Sequence, residues 1–216
     1  MSYAVKELFF TLQGEGIQTG RPAVFLRFAG CNLWSGRERH RARAVCQFCD
    51  TDFVGTDGPG GGRFATPRAL AMAAAHCWSA GSGRAADPAH ALVVCTGGEP
   101  LLQLDSALIA ALHQAGLGIA VETNGTRRAP AGIDWLCVSP KAGAPLVQRT
   151  GDELKLVYPQ PDLDPRSLEG LDFRHWLLQP MDGPEYAAAL ASAIAYCKRH
   201  PRWRLSVQTH KVVGLP

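Results

Sequence analysis

Short apolar runs, most of them rich in β-branched residues, recur along the chain. They are "AVFLRF" (23–28), "ALVVCT" (91–96), "LGIAVET" (117–123), "DWLCVS" (134–139), "ELKLVY" (153–158), "HWLLQ" (175–179) and "RLSVQT" (204–209). Near-continuous apolar character over so few residues predicts strands covered on both faces. Three longer stretches between them carry helical signals. "TPRALAMAAAHCW" opens with Thr66 as an N-cap and Pro67 at the first helical position. "LDSALIAALHQAG" stops at Gly116, and "GPEYAAALASAIAYCKRH" places Lys198, Arg199 and His200 in its last turn. Strands alternating with helices predict an α/β fold with parallel strands. Not every crossover has room for a helix, however. Residues 124–133 are short and contain Gly125, Pro130 and Gly132, while 140–152 and 159–174 are interrupted by Pro140, Pro145, Pro159, Pro161 and Pro165. The expectation is a single domain over 1–216, a partial TIM-like barrel of about six parallel strands with about three main helices. "GTDGPGGGRF" (55–64) is expected to be a flexible loop before the first helix.

Composition narrows the class. A hydrophobic fraction of 46% supplies an ordinary globular core. The net charge of +3 is equalled by residues 37–43 alone, where Arg37, Arg39, Arg41 and Arg43 face Glu38. Nucleic-acid binders spread their basic residues over a face, so broad nucleic-acid contact is not expected, and a local docking patch is what remains. "MSYAVKELFF" mixes charged with apolar residues and does not read as a secretory signal. No apolar run approaches the ~20 residues of a membrane span. A cytoplasmic protein is expected, in which the seven cysteines are thiols or metal ligands rather than disulfides.

Four of those cysteines, Cys77, Cys95, Cys137 and Cys197, fall inside helix or strand patterns and suit small buried hydrophobes. Cys31, Cys46 and Cys49 differ. They form C-x14-C-x2-C in loop sequence after a strand, with the arginines between them. Three readings stay open on these residues alone. A cubane iron–sulfur cluster would take three thiolates and leave one iron open. Zinc would need a fourth ligand, for which only His40 is near. Unliganded thiols are the third. Polar loops after further strands, "CTGGEP" (95–100), "ETNG" (122–125), "SPK" (139–141) and "QPMD" (179–182), gather at the strand ends where barrel sites form.

Taken with "TLQGEG" (11–16), Arg27, "CDT" (49–51), "TGGEP" (96–100) and the closing "VVGLP", this set resembles the radical S-adenosylmethionine superfamily. Within it, the similarity is to the branch that makes a 7-deazapurine for queuosine biosynthesis and tRNA modification. The cysteine spacing departs from the superfamily's usual C-x3-C-x2-C. The resemblance implies a lyase that converts 6-carboxy-5,6,7,8-tetrahydropterin to a carboxylated deazaguanine with loss of ammonia. It implies a [4Fe–4S] cluster on Cys31, Cys46 and Cys49, and magnesium at Thr51. S-adenosylmethionine would be held by Phe48, Asp50, Gly97, Gly98, Glu99, Ser139, Lys141, Gln179, Pro180, Met181 and Asp182. Leu12, Gln13, Gly14, Glu15, Gly16, Arg27, Thr96 and the terminal carboxylate of Pro216 would read the pterin. A homodimer and an electron donor such as flavodoxin are the partners it implies. The arginines would dock that acidic donor, with a solvated loop of locally paired arginines as the alternative. Rival readings are a glycyl-radical activating enzyme, against which "LQGEG" and the short tail weigh, and a zinc-stabilised nucleic-acid module.

Overall fold

The computed structural model describes residues 2–216. Nine strands form one sheet: β1 (Tyr3–Leu12), β2 (Pro22–Phe28), β3 (Gly62–Phe64), β4 (Leu92–Gly97), β5 (Gly118–Thr123), β6 (Trp135–Val138), β7 (Thr150–Tyr158), β8 (Asp172–Pro180) and β9 (Trp203–Leu205). Their order is β3-β1-β2-β4-β5-β6-β7-β8-β9, so β3 and β9 are free edges and the sheet does not close. From β2 through β9 every neighbouring pair is parallel, while β1 runs antiparallel to both β2 and β3. The α/β partial barrel expected from the sequence is therefore present, with seven parallel strands instead of about six.

Alternation within the strands explains what the sheet carries. Val24, Leu26 and Phe28 of β2, Ile119 and Val121 of β5, and Leu154 and Leu156 of β7 all turn to one face and are fully buried in the main core. That core is completed by helices α1 (Pro67–Ser82), α2 (Ser106–Gln114) and α3 (Tyr186–Arg199). Helix α1 starts where the cap chemistry says it should, with the Thr66 hydroxyl accepting from Ala69 N at 3.1 Å. Asp105 caps α2 in the same way, at 2.9 Å from Leu108 N. The intervening residues of the strands face the other way. Near the strand starts they are apolar, where Ala23, Leu92, Val94 and Ala120 pack with Phe25 and Trp135. Towards the strand ends the same face becomes polar, with Arg27, Thr96, Glu122, Lys155 and Gln179.

Three segments differ from the sequence expectation. Strand β1 has no clean alternation because a bulge between Val5 and Glu7 lets Lys6 turn away. Lys6 then binds Asp52 at 2.9 Å and Asp57 at 2.8 Å. The stretch 55–64 is not a free loop. Gly58 N donates to Lys6 O, Pro59 O accepts from Leu8 N, and residues 62–64 become β3. A Cβ on Gly61 would collide with the Lys6 carbonyl, so its glycines permit backbone to lie flat on backbone. Finally, "RLSVQT" is strand only as far as Leu205, and Thr209–Val213 is a short helix, α4.

Candidate active site

The cysteine segment follows β2. Its first turn is anchored on both sides: Gly30 N donates to Phe53 O at 3.1 Å and Glu99 N donates to Gly30 O at 3.0 Å. Asn32, next to Cys31, accepts from Asn124 Nδ2 at 3.0 Å, which ties the segment to the "ETNG" loop after β5. Cys46 and Cys49 share a hydrogen bond that lowers the Cys49 thiol to about 6 and raises that of Cys46, with burial adding to the rise. All seven cysteines are free thiols. The four outside the triad lie in helices and strands, and Cys95 and Cys137 are buried.

Cys31, Cys46 and Cys49 line one cavity of about 190 Å³ at the C-terminal ends of the strands. Phe48, Asp50, Thr51, Gly97, Gly98, Ser139, Lys141, Gln179, Pro180 and Asp182 line it too. Gly98 passes so close that a Cβ there would meet the Gly30 carbonyl and lie 2.7 Å from Cys31 Cβ. Lys141 donates to both Ser139 O and Ser139 Oγ at 2.7 Å, and burial lowers its pKa. Glu99 and Met181 are not on the wall. The Glu99 carboxylate is fully buried and accepts from Leu101 N (3.0 Å), Thr123 Oγ1 (2.6 Å) and Asn124 N (2.8 Å). It braces the "GGE" turn from behind, leaving the glycine backbone to face the cavity.

The residues fit a cluster better than a single ion. Among the described residues, no three His, Cys, Asp or Glu side chains come together as one metal ion would require. Zinc needs its ligands around one point, whereas a cubane distributes three thiolates over three irons. The three thiols share one cavity wall, a donor set whose chemistry fits the second arrangement.

A second cavity of about 320 Å³ adjoins the first. Leu12, Gln13, Gly14, Glu15, Arg27, Thr96 and Pro216 line it, together with Lys6, Glu7, Phe9, Phe25, Asp52, His210 and Lys211. Gly16 lies outside it, with its N–H donated to Ser206 Oγ at 3.0 Å. Arg27 sits opposite Glu7 in the β1–β2 register, and its Nε donates to Glu7 Oε1 at 2.7 Å. The terminal nitrogens have no protein partner among the described residues. Both cavities share Glu15, Asp50, Thr51, Glu122 and Gln208 as a common wall.

That wall is held by side chains the sequence reading passed over. Lys155, almost fully buried, binds Glu15 at 2.7 Å and Glu122 at 2.8 Å. Gln208 reaches Glu15 at 2.9 Å and Asp50 at 3.3 Å, and Lys211 of α4 bridges Asp50 and Asp182 at 2.6 Å each. Burial alone would raise the Glu15 carboxyl. The Lys155 charge, with hydrogen bonds from Lys155, Gln208 and Gln179, instead brings it down to about 2. The signal for Lys155 was available: a lysine between Leu154 and Leu156 must point away from the core those leucines enter.

Fold and site together define a class. This is an α/β enzyme whose site lies at the ends of parallel strands, with a thiol triad in one cavity and an arginine and acidic side chains in the next. No protein-family model matches the chain. The 7-carboxy-7-deazaguanine synthase of Caulobacter vibrioides is 63% identical over 216 residues, covering all of both chains. That of Bordetella pertussis is 61% identical, again over the full length of both. The crystal structure of QueE from Escherichia coli superposes with a TM-score of 0.69 at 28% identity, covering 97% of this chain and 95% of that one. The chain belongs to the 7-carboxy-7-deazaguanine synthase family. Membership sets aside both the glycyl-radical activating enzyme and the zinc module.

Proposed function

We propose that the chain, as one catalytic domain over 1–216, is a radical S-adenosylmethionine lyase of queuosine biosynthesis. It converts 6-carboxy-5,6,7,8-tetrahydropterin to 7-carboxy-7-deazaguanine with loss of ammonia. The observation that carries this reading is the wall shared by the two cavities, with three thiols on one side and Arg27 on the other. Cys31, Cys46 and Cys49 would hold the [4Fe–4S] cluster. Phe48, Asp50, Gly97, Gly98, Ser139, Lys141, Gln179, Pro180 and Asp182 would hold S-adenosylmethionine beside it. Together these groups, when bound, supply a carbon-centred radical able to remove one substrate hydrogen.

The chain's own part is placement. Arg27 keeps its terminal nitrogens for the pterin carboxylate, since Glu7 occupies only Nε and orients the plane. The Gly97 and Gly98 backbone faces the cavity to accept from the methionine amine. Leu12, Gln13, Gly14, Glu15, Thr96 and Pro216 surround the ring, and Lys155 keeps Glu15 ionised as an acceptor for pterin N–H groups. Thr51, on the shared wall, offers magnesium one oxygen; such a site is completed by substrate and waters. Holding both reactants against one wall converts an encounter into an oriented contact.

The decisive test incubates anaerobically reconstituted, reduced protein with S-adenosylmethionine and the carboxypterin. Deazaguanine product is expected. Formation of 5′-deoxyadenosine without it would leave only the superfamily, and neither product would sink the proposal. A homodimer is part of this reading, supported by the exposed Val212 and Val213 of α4. So are a cytoplasmic location, which seven free thiols suit, and a flavodoxin-like donor, which the exposed Arg37, Arg39 and Arg43 suit. Among the described residues no helix is long and apolar enough to cross a membrane.

A further inference from the structure

The span between Cys31 and Cys46 has no part in the proposed chemistry, yet it is organised. Residues 38–43 wind into a short 3-10 helix. From it Arg41 turns back towards the cysteine pair. Its Nε lies 2.8 Å from each Glu38 carboxylate oxygen. One terminal nitrogen donates to Gln47 O at 2.8 Å and to Cys49 O at 3.0 Å. The guanidinium lies over the Trp34 ring, 4.2 Å from its centroid. Trp34 meets Phe53 edge-on, and both line the cavity that contains the three thiols. The span is closed further by Gln47 Nε2 donating to Ala42 O at 3.3 Å and Val45 N donating to Leu33 O at 3.1 Å. Its three arginine neighbours do none of this. Arg39 reaches only His40, and the side chains of Arg37 and Arg43 have no partner among the described residues.

We infer that Arg41 is a positioning residue for the thiol triad. One cation joins Trp34, close after Cys31, to the backbone of residues 47–49, and so sets the separation between Cys31 and the Cys46/Cys49 pair. Lengthening a loop raises the entropic cost of bringing its ends together, and this clamp offsets that cost across an unusually long ligand spacing. Arginine suits the task because one planar group stacks on a ring while donating to a carboxylate and two carbonyls. Lysine can carry the charge but cannot present that flat, forked geometry.

The inference rests on the triad being the cluster's ligand set, so the experiment separates the two. Native protein, Arg41→Gln, Arg41→Lys and the control Arg37→Gln/Arg39→Gln/Arg43→Gln are reconstituted anaerobically. Iron release to a ferrous chelator and the electron paramagnetic resonance spectrum of the reduced cluster are then followed. Both Arg41 variants are expected to lose iron at least fivefold faster and to give a broadened signal, while the triple variant behaves as native. In the metal-free proteins, amide exchange at Val45 is expected to be at least tenfold faster in Arg41→Gln than in native protein. Native-like iron release, spectrum and exchange in Arg41→Gln would overturn the inference. Failure of the native protein itself to take up iron and sulfide would sink the cluster reading, and the exchange measurement would still decide Arg41.

Discussion

At the scale of single residues, the site depends on one buried charge, Lys155, that is held by pairing with two half-buried carboxylates. Glu15, Glu122 and Lys155 come together from distant parts of the chain, 140 and 33 residues apart for the two ion pairs. Removing the buried Lys155 leaves two half-buried carboxylates uncompensated, which solvent partly screens, so the cost falls at or below the lower end of about 3–5 kcal/mol. Lys155→Met should show that loss at neutral pH in urea unfolding, and it should also reverse the pH dependence. In the native protein the Glu15 carboxyl lies near 2 when folded against its ordinary 4.5. Its contribution is therefore complete above 4.5 and lost as pH falls towards 2. Without Lys155, burial dominates and raises the folded pKa. The unfolded chain then gives up its proton first, and the variant should gain stability as pH falls from that raised pKa to 4.5, above the window in which the native protein loses it. Unfolding midpoints of both proteins from pH 6 to 3 check the crossing. Parallel curves would refute this account.

At the scale of elements, the strand ends make the site and close backbone approach keeps them in place. Phe28 at the end of β2 pairs with Gly97 at the end of β4, and Gly97 adopts a φ of +140° that side chains rarely tolerate. Gly98 then passes against Gly30 and Cys31. Gly98→Ala should therefore push the Cys31 turn outward at a cost of about 1–3 kcal/mol. Iron bound after reconstitution should fall by more than half while the far-ultraviolet circular dichroism stays native. Full iron content in that variant would show that the turn adjusts freely. The elements themselves were largely legible in sequence, because strands β4 to β8 and helices α1 to α3 announce themselves locally through apolar runs, caps and prolines. Strand β1 was not, since its bulge hides the alternation at Lys6. Nor was β3, a three-residue strand whose glycines suggest flexibility until β1 is seen beside them.

At the scale of the whole molecule, the charge excess concentrates on the exposed Arg37, Arg39 and Arg43, beside the thiol cavity. Arg41 does not belong to that patch, because its guanidinium is spent on Glu38, two carbonyls and Trp34. Under the proposed function, these three exposed cations, on the span between the proposed cluster ligands, favour an acidic donor through steering that weakens as salt rises. Replacing the three with Gln should slow cluster reduction by a flavodoxin-like protein roughly tenfold at low ionic strength. Reduction by dithionite should be unchanged. Stopped-flow traces at low and high salt provide the check, and equal rates for native and variant protein with the acidic donor would refute it.

What the sequence determined by itself is what short-range chemistry encodes. It specified the alternation of strands and helices, the thiol triad, the glycine turns, and the polar loops that end the strands. Each follows from residues within a turn or two of one another, so periodicity, capping and motif spacing expose it. Only the tertiary structure decided which charged groups share a cavity wall, that one arginine of four is a clamp, and that a glycine-rich stretch is flattened onto β1. Those outcomes depend on contacts between segments far apart in the chain. Such contacts are chosen by the packing of the whole sheet, which no local window contains.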